Sequence, residues 1–236
     1  MTNKISLKIK QAIANQAMQA GEKEACGFIV NGELWPCKNV HPLPLSNFAI
    51  DAVDYAKAES LGVIEAIYHS HPSGSDGFSQ CDIKACKQSN IPWILFHARS
   101  GNFLYADPSG NAPYEGRQWV YGIHDCYAIL RDFYQREFGI ALDDFPRGNE
   151  LEWEQDEWRM FERHYASQGF IEVKQALNKG DFLLMQIGAP SPNHAGVLTE
   201  DGCFYQHLMD RLSEKTIYGG YWAKITTKVL RHKTLL

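Results

Sequence analysis

The chain lacks the features that would make several fold and function classes immediate. Its six cysteines (Cys26, Cys37, Cys81, Cys86, Cys126, Cys203) contain no CxxC pair and no dense framework, so they read as reduced thiols in a protein made in the cytosol. No apolar run approaches the length of a membrane span. The first twenty residues are amphipathic and lack a continuous apolar stretch, so no signal peptide is expected. Basic residues are in deficit, 23 Lys and Arg against 28 Asp and Glu, and a net charge of −5 argues against general nucleic-acid binding. No repeat and no low-complexity tract stands out. What remains is the 44% apolar, 22% charged composition of an ordinary globular protein, long enough for one large or two small domains.

The charge is uneven. Residues 141–166 alone carry eight acids against three arginines. Such a run reads as a solvated, partly helical insertion, with a docking surface for a basic partner as the sharper alternative.

Along the chain, Ile5, Ile9, Ala12, Ile13 and Ala20 share one helical face over residues 4–20, which Gly21 ends. Two strands, 26–30 and 34–37, meet at Asn31-Gly32, a strong hairpin signal. Asp51 caps a helix running to Ser60, residues 63–71 read as a buried strand, and 82–88 as a helix. A second hairpin, 93–98 with 103–106, turns at Ser100-Gly101-Asn102. This α/β order fills residues 1–110, and the Pro- and Gly-rich stretch Asp107–Gly116 is the linker candidate. Beyond it a helix over 125–138 and strands near 181–187, 195–199, 203–208 and 223–230 predict an α+β domain over 114–236.

Two constellations carry chemistry. His69 and His71 alternate on one strand, so both imidazoles face one side and suit one metal. After seven intervening residues comes Ser79, and three further on Asp82. Two histidines and a carboxylate leave a fourth tetrahedral position open for water, as in catalytic zinc sites, and Glu24 is the candidate base. Ser79-Gln80-Cys81-Asp82 equally reads as a helix capping box, and the two readings are compatible. In the second half, Cys126 sits at a helix start, where a thiolate is expected to be stabilised and its pKa lowered. His194 and His207 are its candidate base and orienter, on two strands joined through Thr199–Gly202. A four-residue loop sets them directly opposite, and a two-residue Asp201-Gly202 turn leaves them on one face. His124 is a weaker competitor for the base. A buried structural thiol with two incidental histidines is the plainer alternative.

The pattern Glu24, His69-x-His71, Ser79-x-x-Asp82 resembles the JAMM (MPN, Mov34-type) metallopeptidase motif. The resemblance implies zinc held by His69, His71 and Asp82, Glu24 as base, Ser79 stabilising the tetrahedral intermediate, and hydrolysis of an amide or isopeptide bond. The order Cys126, His194, His207 resembles the NlpC-type cysteine peptidases, which cut bacterial cell-wall peptides in a papain-like fold. That family uses a tyrosine upstream of the nucleophile, for which Tyr114 and Tyr121 are the two alternatives.

The combination, with Asp125-Cys126-Tyr127, Leu130-Arg131-Asp132-Phe133-Tyr134, Tyr218-Gly219-Gly220-Tyr221-Trp222 and Leu230-Arg231-His232, is similar to the tail assembly protein K family of lambda-like phages. It implies a tail-tip component that hydrolyses peptidoglycan peptides, aids assembly, or both. Its partners would be a peptidoglycan peptide or protein substrate and other tail-tip proteins. It would be made in the host cytosol and carried to the wall by the particle. A structural assembly factor with dispensable sites, or a zinc protease trimming a tail protein, are the alternatives. Residues 143–165 match no chemical task and read as a lid, a docking helix or filler.

Overall fold

The computed structural model describes residues 5–145, 147, 159–174 and 177–236. The chain divides into two compact units, Met1–Ser109 and Gly110–Leu236.

In the first unit, helix α1 (Leu7–Ala20) is capped by the Ser6 side chain and stopped by Gly21 at φ 65°. Strands β1 (Cys26–Val30) and β2 (Glu33–Cys37) are joined by Asn31 and Gly32, both at positive φ, as a tight hairpin requires. Asp51 caps α2 (Ala52–Leu61), and β3 (Ile64–His71), α3 (Gln80–Ser89), β4 (Trp93–His97) and β5 (Asn102–Ala106) follow. The sheet order is β2-β1-β3-β4-β5, with β3 and β4 parallel and α3 making the crossover. Alternation along β3 sorts the two faces. Ala66 and Tyr68 pack with Ile13 and Ala17 of α1, which leaves His69 and His71 on the opposite face.

The second unit places α4 (Cys126–Phe138) against a six-stranded sheet of order β10-β9-β8-β7-β11-β6. Its strands are β6 (Phe170–Glu172), β7 (Phe182–Met185), β8 (His194–Leu198), β9 (Cys203–Gln206), β10 (Glu214–Ile217) and β11 (Thr226–His232). Period-two alternation on β7 sends Phe182 and Leu184 toward Ile129, Leu130 and Phe133 of α4. Leu183 and Met185 point the other way, to Phe204 and Trp222. Burial on both faces explains why β7 and β8 read as continuous apolar runs. Several residues of the family-like phrases hold this unit together. Asp132 pairs with the buried Arg117 at 2.5 Å, Tyr134 donates to the Gly180 carbonyl at 2.5 Å, and Arg231 grips Asp181 at two points, 2.7 and 2.9 Å.

The strand expected over 223–230 is corrected. Residues 220–225 form a short helix, α6 (Gly220–Ile225), and β11 starts only at Thr226. The helical spacing sets Trp222 and Ile225 on one side, against the Leu183, Met185 and Phe204 cluster. The helix α5 (Met160–His164) lies in the segment expected to be partly helical, whereas the strands β6 and β10 carried no signal; β10 exposes most of its residues and sits at the sheet edge. Residues 146 and 148–158 of the acidic run lie outside the described residues, Trp153 and Trp158 included. Its described part is ordered into the fold, with Leu142 and Phe161 in the α4 core. Among the described residues no helix is long and apolar enough to cross a membrane.

Gly27 is a close-approach position in the β1–β2 hairpin, since a Cβ there would lie 2.3 Å from the Trp35 carbonyl oxygen and 2.9 Å from the Tyr68 ring. Gly27→Ala should cost about 1–3 kcal/mol, the usual range for overpacking. Urea unfolding of the whole chain reads this, and an unchanged midpoint would mean the hairpin yields freely.

Candidate metal centre and cysteine site

The first site forms where β3 ends, at the carboxyl edge of its parallel pairing with β4. Cys26 pairs with His69 across β1 and β3, so Glu24, two residues earlier, comes beside His71, with Oε1 3.9 Å from Nε2. His69 and His71 bring their Nε2 atoms to 3.2 Å of each other. Asp82 completes the group, with Oδ1 3.5 Å from His69 Nε2 and Oδ2 3.5 Å from His71 Nε2. Tetrahedral zinc with bonds near 2.0–2.1 Å separates its ligand atoms by about 3.3 Å, so the three donors fit that ion. The His71 ring is held by its Nδ1, which faces the Ser75 carbonyl at 3.2 Å and would leave Nε2 as the atom offered to a metal. The His69 ring is held differently: it stacks on Phe48 at 4.6 Å and meets Trp93 edge-on, while its buried Nδ1 has no partner among the described residues.

Ser79 serves the cap and the site together. Its backbone N–H and hydroxyl donate to Asp82 Oδ2 at 2.8 and 2.6 Å, and Asp82 N–H donates back to the hydroxyl at 3.2 Å. Burial pushes Asp82 up, but the two imidazoles and Ser79 outweigh it and hold the carboxyl well below the usual range. Burial lowers His69 against the pull of Asp82. It also acts to lower His71, where Asp82, Ser75 and Glu24 prevail and raise it. Burial pushes Glu24 up to about 7, opposed by His71 and reinforced by Asp82.

In the second unit α4 begins at Cys126 because Asp125 caps it, accepting from Ala128 N–H at 2.8 Å and from Gly122 N–H at 2.9 Å. The sulfur faces β8, and the Ala195 and Tyr127 backbone groups are directed at it. Cys126, His194 and His207 all line one cavity of about 270 Å³, with Trp119, Tyr121, Phe161 and Met209 among its apolar walls. The expected lowering of the thiol pKa is not seen. Burial pushes it up to about 12, Asp125 adds to this, and the backbone groups and Arg147 only partly offset it. Burial pulls His194 down to about 4, so its imidazole is neutral at ordinary pH.

The hairpin register needs correction. Thr199 pairs with Cys203 around the three-residue turn Glu200-Asp201-Gly202, and Gly196 lies opposite Gln206. Neither a four- nor a two-residue loop forms. Gly202 at φ 75° supplies the left-handed residue that closes a three-residue hairpin. In this register His194 shares its face with Gln206, and its Nε2 meets Gln206 Oε1 at 3.0 Å. His207 lies past the end of β9, where its Nε2 faces the Arg211 carbonyl at 3.0 Å and its ring meets Trp119 edge-on. Gln206 was missed for want of the right turn length, which Gly202 signals.

Tyr121 lines the cavity, whereas Tyr114 packs on Phe133 and Tyr205 in the core cluster. His124 is buried ahead of the helix, bridged to Val120. A second unpredicted residue is Arg147, whose side chain reaches Asp125 at 2.8 and 3.3 Å.

Comparison with known proteins divides the chain in the same sense. Residues 6–119 match the prokaryotic homologs of the JAB domain, and residues 116–231 match the NlpC/P60 family. A relative described as a probable TtuB-protein conjugate cleaving protease, from Thermus thermophilus, is 39% identical over 67 residues, 26% of this chain and 44% of that protein. The tail tip assembly protein K of Escherichia phage lambda is 32% identical over 181 residues, 76% of this chain and 87% of its own length. That of Escherichia phage N15 is 30% identical over 232 residues, 96% of this chain and 95% of its own length. With a JAB-like unit followed by an NlpC/P60 unit and likeness to these relatives along nearly its whole length, the chain belongs to the tail tip assembly protein K family.

Proposed function

We propose that the second unit is a cysteine peptidase that hydrolyses peptidoglycan stem peptides, with Cys126 as nucleophile, His194 as base and Gln206 as its orienter. The observation that carries this is the orientation of His194. Gln206 Nε2 donates to Glu214 Oε1 and Thr216 Oγ1, both at 3.1 Å, which turns its Oε1 toward His194. An amide oxygen only accepts, so His194 bears its proton on Nε2, and Nδ1 keeps the lone pair a base requires. Nδ1 takes the thiol proton as Cys126 Sγ bonds to the carbonyl carbon. The C–N bond then breaks, and the leaving amine receives that proton. Water hydrolyses the thioester, releasing the acid and restoring the thiol. The stem-peptide substrate draws on the NlpC/P60 match and on the tail-tip relatives.

The first unit supports a zinc-dependent amide hydrolase. His69, His71 and Asp82 would hold the ion, which when bound polarises a carbonyl and acidifies a coordinated water. Glu24 is beside the ligands to hold a proton, and Ser79 keeps Asp82 oriented. The likeness to a conjugate-cleaving protease favours an amide or isopeptide bond. Within the same proposal, the protein docks with other tail-tip proteins, is made in the host cytosol and acts at the cell wall.

Peptidoglycan digests read by mass spectrometry test the first reading. Cys126→Ala should release no peptides, and Gln206→Ala should lower kcat by roughly 10²-fold, the low end of an oriented base's contribution. His207→Ala should retain most of the rate. Equal turnover by wild type and Cys126→Ala would sink the assignment. For the other unit, elemental analysis of protein purified without chelator should find zinc near one per chain, lost in Asp82→Ala; zinc-free wild type would count decisively against it.

A further inference from the structure

Beside the nucleophile lies an electrostatic conflict. The Asp125 carboxylate is needed to cap α4, yet it adjoins the residue that must become an anion, and like charges oppose each other. The carboxylate is buried, so solvent does little to screen it.

We propose that Arg147 is a positioning residue for the nucleophile: its buried two-point pair with Asp125 offsets the charge of the cap, so that the helix stays capped while the cap opposes ionisation of the sulfur less. This rests on the reading of Cys126 as the nucleophile. Arg147 Nε donates to Asp125 Oδ2 at 2.8 Å and Nη2 to Oδ1 at 3.3 Å. Its Nη1 is held by Asp144 Oδ1 and the Phe145 carbonyl, both at 2.6 Å, and its guanidinium lies 5.1 Å from the Tyr127 ring centre. Only a planar fork reaches two carboxylates and a carbonyl in this way. The peptide around it is fastened to the same helix. Tyr127 donates to the Asp143 carbonyl at 2.9 Å, and Arg131 Nε donates to the Leu142 carbonyl at 3.1 Å. Tyr121, on the cavity wall, donates to the Arg147 carbonyl at 2.6 Å.

The titratable groups lining the cavity with Cys126 are Asp125 and Tyr127 of the helix start, Tyr121 before it, His194 of β8, His207 after β9, and Arg147. Burial keeps both histidines neutral at ordinary pH, lowering each to about 4. Arg147 is therefore the one fixed cation among the described residues of the cavity lining, and Asp125 the one fixed anion.

The test is the pH dependence of Cys126 alkylation by iodoacetamide, read on the Cys126 peptide by mass spectrometry in the full-length protein. In Arg147→Gln alkylation at a fixed pH below the midpoint should slow by about tenfold, the equivalent of a one-unit rise in the midpoint. Arg147→Lys, which keeps the charge but loses the fork, should fall between wild type and Arg147→Gln. Asn still caps helices, so adding Asp125→Asn to Arg147→Gln should bring the midpoint back, which a purely structural role for Arg147 would not do. A wild-type midpoint in Arg147→Gln, or no recovery in the double variant, overturns the proposal. If Arg147→Gln does not fold, Asp125→Asn alone decides: its midpoint must fall below wild type, and an unchanged or higher value overturns it. Failure of the peptidase reading is a separate result, namely peptidoglycan hydrolysis by Cys126→Ala with the Arg147 shift still present.

Discussion

Asp125 does two jobs whose demands conflict, and much of the second unit is arranged around that conflict. Its carboxylate accepts the Ala128 and Gly122 N–H groups and so fixes where α4 begins. That start determines where the sulfur of Cys126 sits relative to β8. The helix is then clamped from behind by the α4 core, in which Ile129, Leu130 and Phe133 meet Phe182, Leu184 and Ala195. Burying an aspartate at this point is tolerable only with a partner, and the described part of the acidic segment supplies it through Arg147. A stretch that reads in the sequence as solvated filler therefore reaches into the back of the site.

The first unit solves a different problem, that of bringing together four residues from three places in the chain. Antiparallel pairing of β1 with β3 delivers Glu24 to the end of the strand carrying His69 and His71. The capping box of α3 delivers Asp82, and the same bonds that start the helix turn its carboxylate toward the imidazoles. No loop has to be held rigid for its own sake, because each of the four residues sits in or next to a hydrogen-bonded element.

Most of this was legible in the sequence where local rules act. Asn31-Gly32, the Asp51 cap and the Ser79–Asp82 box each carry their own stereochemistry, and the shared face of His69 and His71 follows from strand alternation. The edge strand Glu214–Ile217 was not legible, because an exposed strand needs no apolar pattern. The helix at Gly220–Ile225 was hidden by aromatic residues that favour strands in isolation, and tertiary burial of Trp222 decided otherwise. The ionisation of Cys126 was misjudged because the helix terminus is visible in the sequence and the burial around it is not. Arg147 lies 22 residues from Asp125, beyond any local rule.

The turn Glu200-Asp201-Gly202 has a reach well beyond its own position. Strand faces alternate residue by residue, so a hairpin closed one position differently would carry Gln206 to the far side of the sheet and set His207 across from His194. The chain thus encodes two rival partners for one imidazole, an amide and a second imidazole in adjacent positions. Gly202, remote from the cavity, is the selector between them. A substitution there that changed the turn length would exchange the side chain facing His194 without touching the cavity itself.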